Sequence, residues 1–195
     1  LELPSFGPAA CLSTGQAMSY ERVQSLWHKG YSMGFKLRKP LLIAECVPGG
    51  TTTAQAVLTG LGLSVGDLIS SSVLNPPVLI KKELVERGLR AANLGGKACP
   101  RKILSAVGDP FQPVAVGLLL GARAAGQKVL LGGGCQMLAV LALALSETQA
   151  SLRSRFVNGV ILGTTSWLSE EGTCKGNRES CLVRLLNKVS DHFEV

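Results

Sequence analysis

At 195 residues the chain has room for one domain or a little more, and 46% hydrophobic against 17% charged residues exclude a disordered chain. The formal net charge of +7 favours an anionic partner, but the basic residues are scattered and the aromatic share is only 5%. That argues against a nucleic-acid surface and leaves a phosphate ligand or an acidic surface. Six cysteines without C-x-x-C spacing and only two histidines argue against a zinc site, so no metal is expected; no cofactor is expected either.

The longest apolar stretches, such as "CQMLAVLALAL", fall short of the roughly 18 residues of a membrane span, and the expected setting is the cytoplasm. The chain opens on Leu1 rather than Met, in the loop-like "LELPSFGPAACLSTGQAM". It is therefore expected to be a fragment, and a missing N-terminus would hide any targeting signal.

In chain order, "SYERVQSLWHKGYSMGF" predicts a helix with Ser19 as N-cap and Val23, Leu26 and Trp27 on one face. "KPLLIAEC" is a short apolar run after a proline and reads as a buried strand. The loop "ECVPGGTTT" follows, and "TTAQAVLTGLG" is a helix ending at Gly60 or Gly62. "PPVLIKKELVERGLRAANLGG" is a helix from about Val78, stopped by Gly95 and Gly96. "RKILSAVG" reads as a second strand, "QKVLLGGG" as a third and "FVNGVILGTTSW" as a fourth. Between them, "DPFQPVAVGLLLGARAAG" and "CQMLAVLALALSE" are helices, the first with an Asp-Pro start that suits a first turn. The tail "EEGTCKGNRESCLVRLLNKVSDHFEV" opens as loop and closes as an amphipathic helix.

Apolar strands alternating with helices of ten or more residues predict an α/β fold: an open, mostly parallel, Rossmann-like sheet with helices on both faces. Ligands of such sheets bind beyond the carboxyl ends of the strands. The ends expected here are "ECVPGGTTT", "VGDPF", "LGGGCQ" and "LGTTSW", which place Glu45, Gly108, Gly132 and Gly163 at one edge, with Gly133 and Asp109 beside them.

In the first of these loops, Gly49 and Gly50 permit a tight turn and a close backbone approach to a ligand. Thr51, Thr52 and Thr53 then open a helix, whose N-terminus attracts anions and whose hydroxyls add donors. The loop is neither a Walker motif nor a Rossmann G-x-G-x-x-G. An ordinary helix cap after a tight turn gives the same pattern. Glu45 is costly to bury on an apolar strand without a partner, so it is either a site carboxylate or bonded to its own loop. Asp109 before Pro110 is a helix cap or a ligand group. Lys81 and Lys82, with Glu83 and Glu86 nearby, form a solvated helix face or carry a phosphate contact.

"ECVPGGTTTAQAVL" resembles the loop of the nicotinate-nucleotide:dimethylbenzimidazole phosphoribosyltransferases, in which an acid precedes a glycine-asparagine-threonine-threonine turn and an alanine-rich helix. It looks closest to the archaeal and cyanobacterial branch. "LIKKELVERGL" resembles the family's helix with a phosphate-contacting lysine, at Lys81. "ILSAVGDPFQPVAVGLLLGA", "VLLGGGCQMLAVLAL" and "GVILGTTSWLSEE" follow in the family's order, so the resemblance runs from about Phe6 to Glu171. It implies transfer of 5-phosphoribosyl from nicotinate mononucleotide to an aromatic base, dimethylbenzimidazole-like or adenine, for the lower ligand of a cobamide. It implies further that the intact protein is a homodimer. The 5′-phosphate would be held by Gly49, Gly50, Thr51, Thr52, Thr53 and Lys81, with Gly108, Gly132 and Gly133 lining the edge. Glu45 or Asp109 would favour the positive charge that builds at the anomeric carbon.

Family members are much longer, and their catalytic glutamate lies in a glycine-rich loop near the C-terminus. That pattern is absent from "SEEGTCKGNRES", where Glu171 is the nearest echo. The chain therefore looks like a truncated member with an incomplete sheet. Residues 1–40 form an N-terminal loop and helix, 41–168 the nucleotide-binding core, and 169–195 a diverged loop and helix. A catalytically inactive, phosphate-binding remnant and a basic module for a polyanion are the competing readings.

Overall fold

The structure, a computed structural model, describes residues 7–69, 77–94, 98–170 and 179–195. In chain order it runs α1 (Tyr20–Lys36), β1 (Leu41–Ala44), α2 (Gly50–Gly60), α3 (Val78–Ala92), α4 (Pro100–Val107) and α5 (Phe111–Ala124). There follow β2 (Val129–Gly132), α6 (Cys135–Glu147), α7 (Ala150–Val157), β3 (Val160–Gly163), α8 (Ser166–Glu170) and α9 (Cys181–Phe193). The sheet has order β1-β2-β3, and both pairs are parallel. Leu41, Val129 and Val160 are register partners at one end, and Ala44, Gly132 and Gly163 at the other. The fold is thus α/β, a parallel sheet with helices around it.

The segment expected as a second strand is a helix instead. Pro100 occupies its first turn, where a missing N–H costs nothing. Ile103, Leu104 and Val107 fall at helical spacing and are fully buried, while Lys102 points out. Three strands rather than four therefore form the sheet among the described residues. α3 stops at Asn93, which takes the left-handed conformation at φ 44° and returns its N–H to Arg90 O. The glycines expected to end that helix, Gly95 and Gly96, lie outside the described residues.

Burial of the strands is one-sided rather than complete. Ile43, Val129 and Leu131 are buried, on the face that meets the core. The alternate row, Leu42, Leu130 and Ile161, is exposed, so helical cover of that face is incomplete among the described residues.

α6 is the central element. Every residue from Cys135 to Leu145 is buried, as expected for a helix that is apolar all round. α2, α5 and α9 pack against it. α9 contributes Leu182, Leu185, Val189 and Phe193, and its start is capped by Ser180, whose Oγ accepts the Val183 N–H.

α1 lies along α5 at backbone contact. Gly30 and Gly34 on α1 face Gly117 and Gly121 on α5 in two G-x-x-x-G spacings. A Cβ at Gly30 would stand 2.3 Å from Val114 O, and one at Gly117 2.2 Å from Trp27 O. Small residues at that spacing let two helices approach more closely than side chains otherwise permit. The N-terminal segment is therefore locked to the core through this seam.

Candidate phosphate site at the strand exits

Because all three strands are parallel, their carboxyl ends share one edge, and the segments after Ala44, Gly132 and Gly163 leave the sheet together. β2 passes its last N–H bond across this edge, from Gly133 to Gly163 O at 2.8 Å. Glu45 follows β1, is half-buried, and accepts the Val47 N–H on Oε2 at 2.8 Å. Its other oxygen, Oε1, lies 4.0 Å from where a Cβ of Gly133 would stand. The carboxylate thus sits between the exits of β1 and β2, held by its own loop on one side.

The turn after Glu45 is made by Gly49 at φ 73°, a conformation that favours glycine, with open space around its Cα. α2 begins at the next residue. Its first turn differs from the expected array of free amides. The Gly50 N–H bonds Val47 O at 3.0 Å, and the Thr52 and Thr53 N–H groups bond Gly49 O at 2.9 and 3.3 Å. The tight turn satisfies those donors locally, so hydroxyls and a lysine dominate what the loop presents.

That lysine is Lys81, in the first turn of α3. Its Nζ donates to Thr51 Oγ1 at 2.9 Å, so the starts of two helices meet at the glycine-threonine loop. The Thr51–Lys81 pair is the side-chain geometry at this edge best suited to an anion, since a charge-assisted bond to phosphate is among the stronger kinds. Lys82 is exposed on the same helix.

Thr53 faces the other way. Its hydroxyl lies 2.5 Å from Asp109 Oδ2 and 3.1 Å from Gly50 O. Asp109 is 6% exposed, and four donors converge on it: Thr53 Oγ1 and Gln136 Nε2 on Oδ2, and the Phe111 and Gln112 N–H groups on Oδ1. Gln112 Oε1 accepts the Asp109 N–H at 3.1 Å, and Gln112 Nε2 donates to Gln136 Oε1 at 3.0 Å. The cap reading of Asp109 is realised on Oδ1. Oδ2 ties α2 and α6 to the start of α5.

Gly108, expected at a strand exit, is the C-cap of α4. A Cβ there would stand 2.8 Å from Leu104 O and 2.9 Å from Gln112 Oε1, so a glycine is needed for packing rather than for ligand approach. Gly132 and Gly133 do lie at the edge. Glu171 falls outside the described residues. Gln112 and Gln136 do not stand out in the sequence; the one signal is a polar second residue at the start of each of two largely apolar helices.

A cleft of about 960 Å³ lies elsewhere, between α1, α4, α5, α6 and α7, and is lined by Trp27, His28, Arg101, Glu147 and Arg155 among others. Arg101 pairs with Glu147 at 3.2 Å and stacks over Trp27, so part of its charge is internally compensated. None of the strand-exit residues lines it, and the strand edge carries the better case for a site. Among the described residues no group of three His, Cys, Asp or Glu side chains could hold a metal ion. No helix among them is long and apolar enough to cross a membrane.

The fold has counterparts in solved structures. Nicotinate-nucleotide-dimethylbenzimidazole phosphoribosyltransferase from Thermus thermophilus superposes with a TM-score of 0.68 over 93% of this chain and 50% of its own, at 19% identity. A structure of CobT from the same organism gives 0.69 over 93% and 51%, at 18% identity. This chain has their fold. At that identity the likeness is one of fold alone. In sequence, the chain is 59% identical over 195 residues to a UPF0284 protein of Prochlorococcus marinus strain MIT 9313. It is 52% identical over 195 residues to one of Parasynechococcus marenigrum strain WH8102, and 41% over 175 residues to one of Thermosynechococcus vestitus. The chain spans about half the length of these curated relatives, 48% for the first two and 46% for the third. No family model matches it.

Proposed function

We propose that this chain, with residues 41–168 as its core, is the nucleotide-gripping portion of a phosphoribosyltransferase of cobamide (vitamin B12) assembly. It would take 5-phosphoribosyl from nicotinate mononucleotide and pass it to a dimethylbenzimidazole-like base or adenine. The observation that carries the reading is the contact of Lys81 Nζ with Thr51 Oγ1 at a glycine-threonine loop on the carboxyl edge of this fold. In the intact protein we place the enzyme in the cytoplasm as a homodimer.

The chemistry makes three demands. The 5′-phosphate must be held, and Lys81, the hydroxyls of Thr51 and Thr52, and the open turn at Gly49 and Gly50 would do that. The bond between the anomeric carbon and the pyridinium nitrogen breaks, nicotinate leaves with the bonding pair, and positive charge builds on the ribose. Glu45, with Oε1 turned towards Gly133, would favour that charge. A ring nitrogen of the acceptor then bonds the anomeric carbon, and its other ring nitrogen loses a proton to a general base. Glu171 is the candidate this sequence offers for that base. Thr53 and Asp109 brace the loop from behind and touch no substrate.

The half-length span favours a second reading, in which the chain binds the nucleotide but turns it over poorly without the rest of the relatives' length. One pair of measurements separates them. Calorimetry with nicotinate mononucleotide should show binding that free nicotinate does not match. Product formation from nicotinate mononucleotide with dimethylbenzimidazole or adenine should be slower for this chain than for the intact Prochlorococcus relative. Loss of general-base catalysis alone gives about 10²–10⁴-fold. Equal rates would place the whole catalytic apparatus in this chain, and a Glu171→Gln change should then abolish turnover. Failure of both proteins to bind nicotinate mononucleotide sinks the proposal.

A further inference from the structure

Leu42, Leu130 and Ile161 are register partners across β1, β2 and β3, so they form one row on one face of the sheet. They are 61%, 38% and 61% exposed. The next row on that face is Ala44, Gly132 and Gly163, where a single methyl group leaves the surface low beside the apolar ridge. Parallel sheets occur almost only with both faces covered, because their apolar strands gain nothing from water on either side. The opposite face obeys this, with Ile43, Val129 and Leu131 buried.

One observation says what covers the bare row, and a second shows that the sheet itself is open to extension. The curated relatives and the solved proteins of this fold are about twice this length, since the chain spans 48% of one and 50% of the other. β1 and β3 are also the outer strands, each with one edge that no strand pairs among the described residues. A second copy of this chain fits less well. Three side chains offer far less than the roughly 800 Å² per partner of a stable interface. A covering segment within the same polypeptide has no such threshold, because it is already tethered.

We propose that the Leu42–Leu130–Ile161 row is the docking surface for the half of the polypeptide that the full-length relatives possess beyond the region matched here. The occupant is an apolar layer, such as an amphipathic helix laid over the ridge and the low Ala44–Gly132–Gly163 strip. This placement does not depend on the phosphoribosyl reading.

The test compares accessibility at two single sites. Leu42→Cys and Ile161→Cys are made in this chain, and cysteine is placed at the aligned positions of the intact Prochlorococcus marinus MIT 9313 relative. Maleimide modification is read peptide by peptide, so the exposed Cys11 and Cys46 do not interfere. Modification in the intact relative is expected to be at least about tenfold slower at both positions, the signature of burial there. Equal rates in the two proteins would overturn the proposal. Sedimentation of this chain is expected to show a monomer. A dimer that dissociates on Ile161→Lys would make the second copy the occupant and would overturn it as well.

Discussion

Around Asp109, four donors converge on two buried carboxylate oxygens, whereas Glu45 accepts the Val47 N–H on one oxygen and turns the other towards Gly133. Both acids follow an apolar segment and precede a glycine- or proline-bearing turn, so the sequence weighs them alike as site carboxylates. Their surroundings divide the work. A carboxylate whose acceptor directions are filled stabilises the connections between helices and has nothing left to offer a ligand. One with a single local bond at a half-exposed edge can still respond to charge on a substrate.

The largest effect should come from breaking the closed side. Asp109→Ala strands the Gln136 side-chain donor in a buried setting and removes the cap of α5. The expected loss is about 2–5 kcal/mol of stability, the sum of one unsatisfied buried group and one lost cap. Urea unfolding checks it, and a loss below about 1 kcal/mol would mean the network is not closed as described. Glu45→Gln tests the open side. It should leave stability nearly unchanged while lowering phosphoribosyl transfer by the intact protein about 10²-fold, as for removal of one preorganised electrostatic group. If instead it unfolds the protein and Asp109→Ala does not, the two acids have been assigned the wrong way round.

The same contrast shows what was legible in the sequence. α1, α5 and α9 can be read because their apolar residues repeat at helical spacing and their starts carry a capping serine or a proline, and α2 and α6 because a long, alanine-bearing run follows a glycine turn. β1, β2 and β3 can be read from short apolar runs that end in glycine or a loop. α4 is ambiguous, since eight residues with Ile103 and Leu104 adjacent look like a strand as readily as a helical face. The Pro100 start is the signal that favours the helix. α7 carries no buried residue and so shows no apolar face to read. Besides partly buried Phe156 and Val157, it is held by guanidinium bonds to carbonyls, from Arg123 to Phe156 O and Arg155 O, and from Arg153 to Phe193 O. Such bonds have no periodicity. The glycine-threonine loop is visible as a candidate site, but the inward turn of its amides and the Gln112–Gln136 link depend on packing between distant segments.

Lys81 sharpens the open side further. Lys81→Ala should weaken nicotinate mononucleotide by about 1.5–3 kcal/mol, the worth of a hydrogen bond to a charged group, and leave free nicotinate unaffected. Equal losses for both ligands in calorimetry would remove phosphate from the assignment. Stability should change little, because the side chain is only partly buried.

Thr51→Val gives the smallest expected effect and separates positioning from binding. The substitution keeps the shape of the side chain and deletes the hydroxyl that accepts from Lys81. Two consequences oppose each other. Phosphate loses one neutral donor, while Lys81 loses one local acceptor and turns more readily to the anion. A neutral hydrogen bond is worth about 0.5–1.5 kcal/mol net, and an exchange of partners by the lysine offsets part of it. Affinity for nicotinate mononucleotide should therefore fall less than in Lys81→Ala, by under about 1 kcal/mol. In the double variant the two losses should not add, because both act on one contact. Additive losses would mean that Thr51 and Lys81 meet different parts of the ligand. The loop and α3 would then be separate sites rather than one, and the 2.9 Å contact between them would be no more than a surface bond.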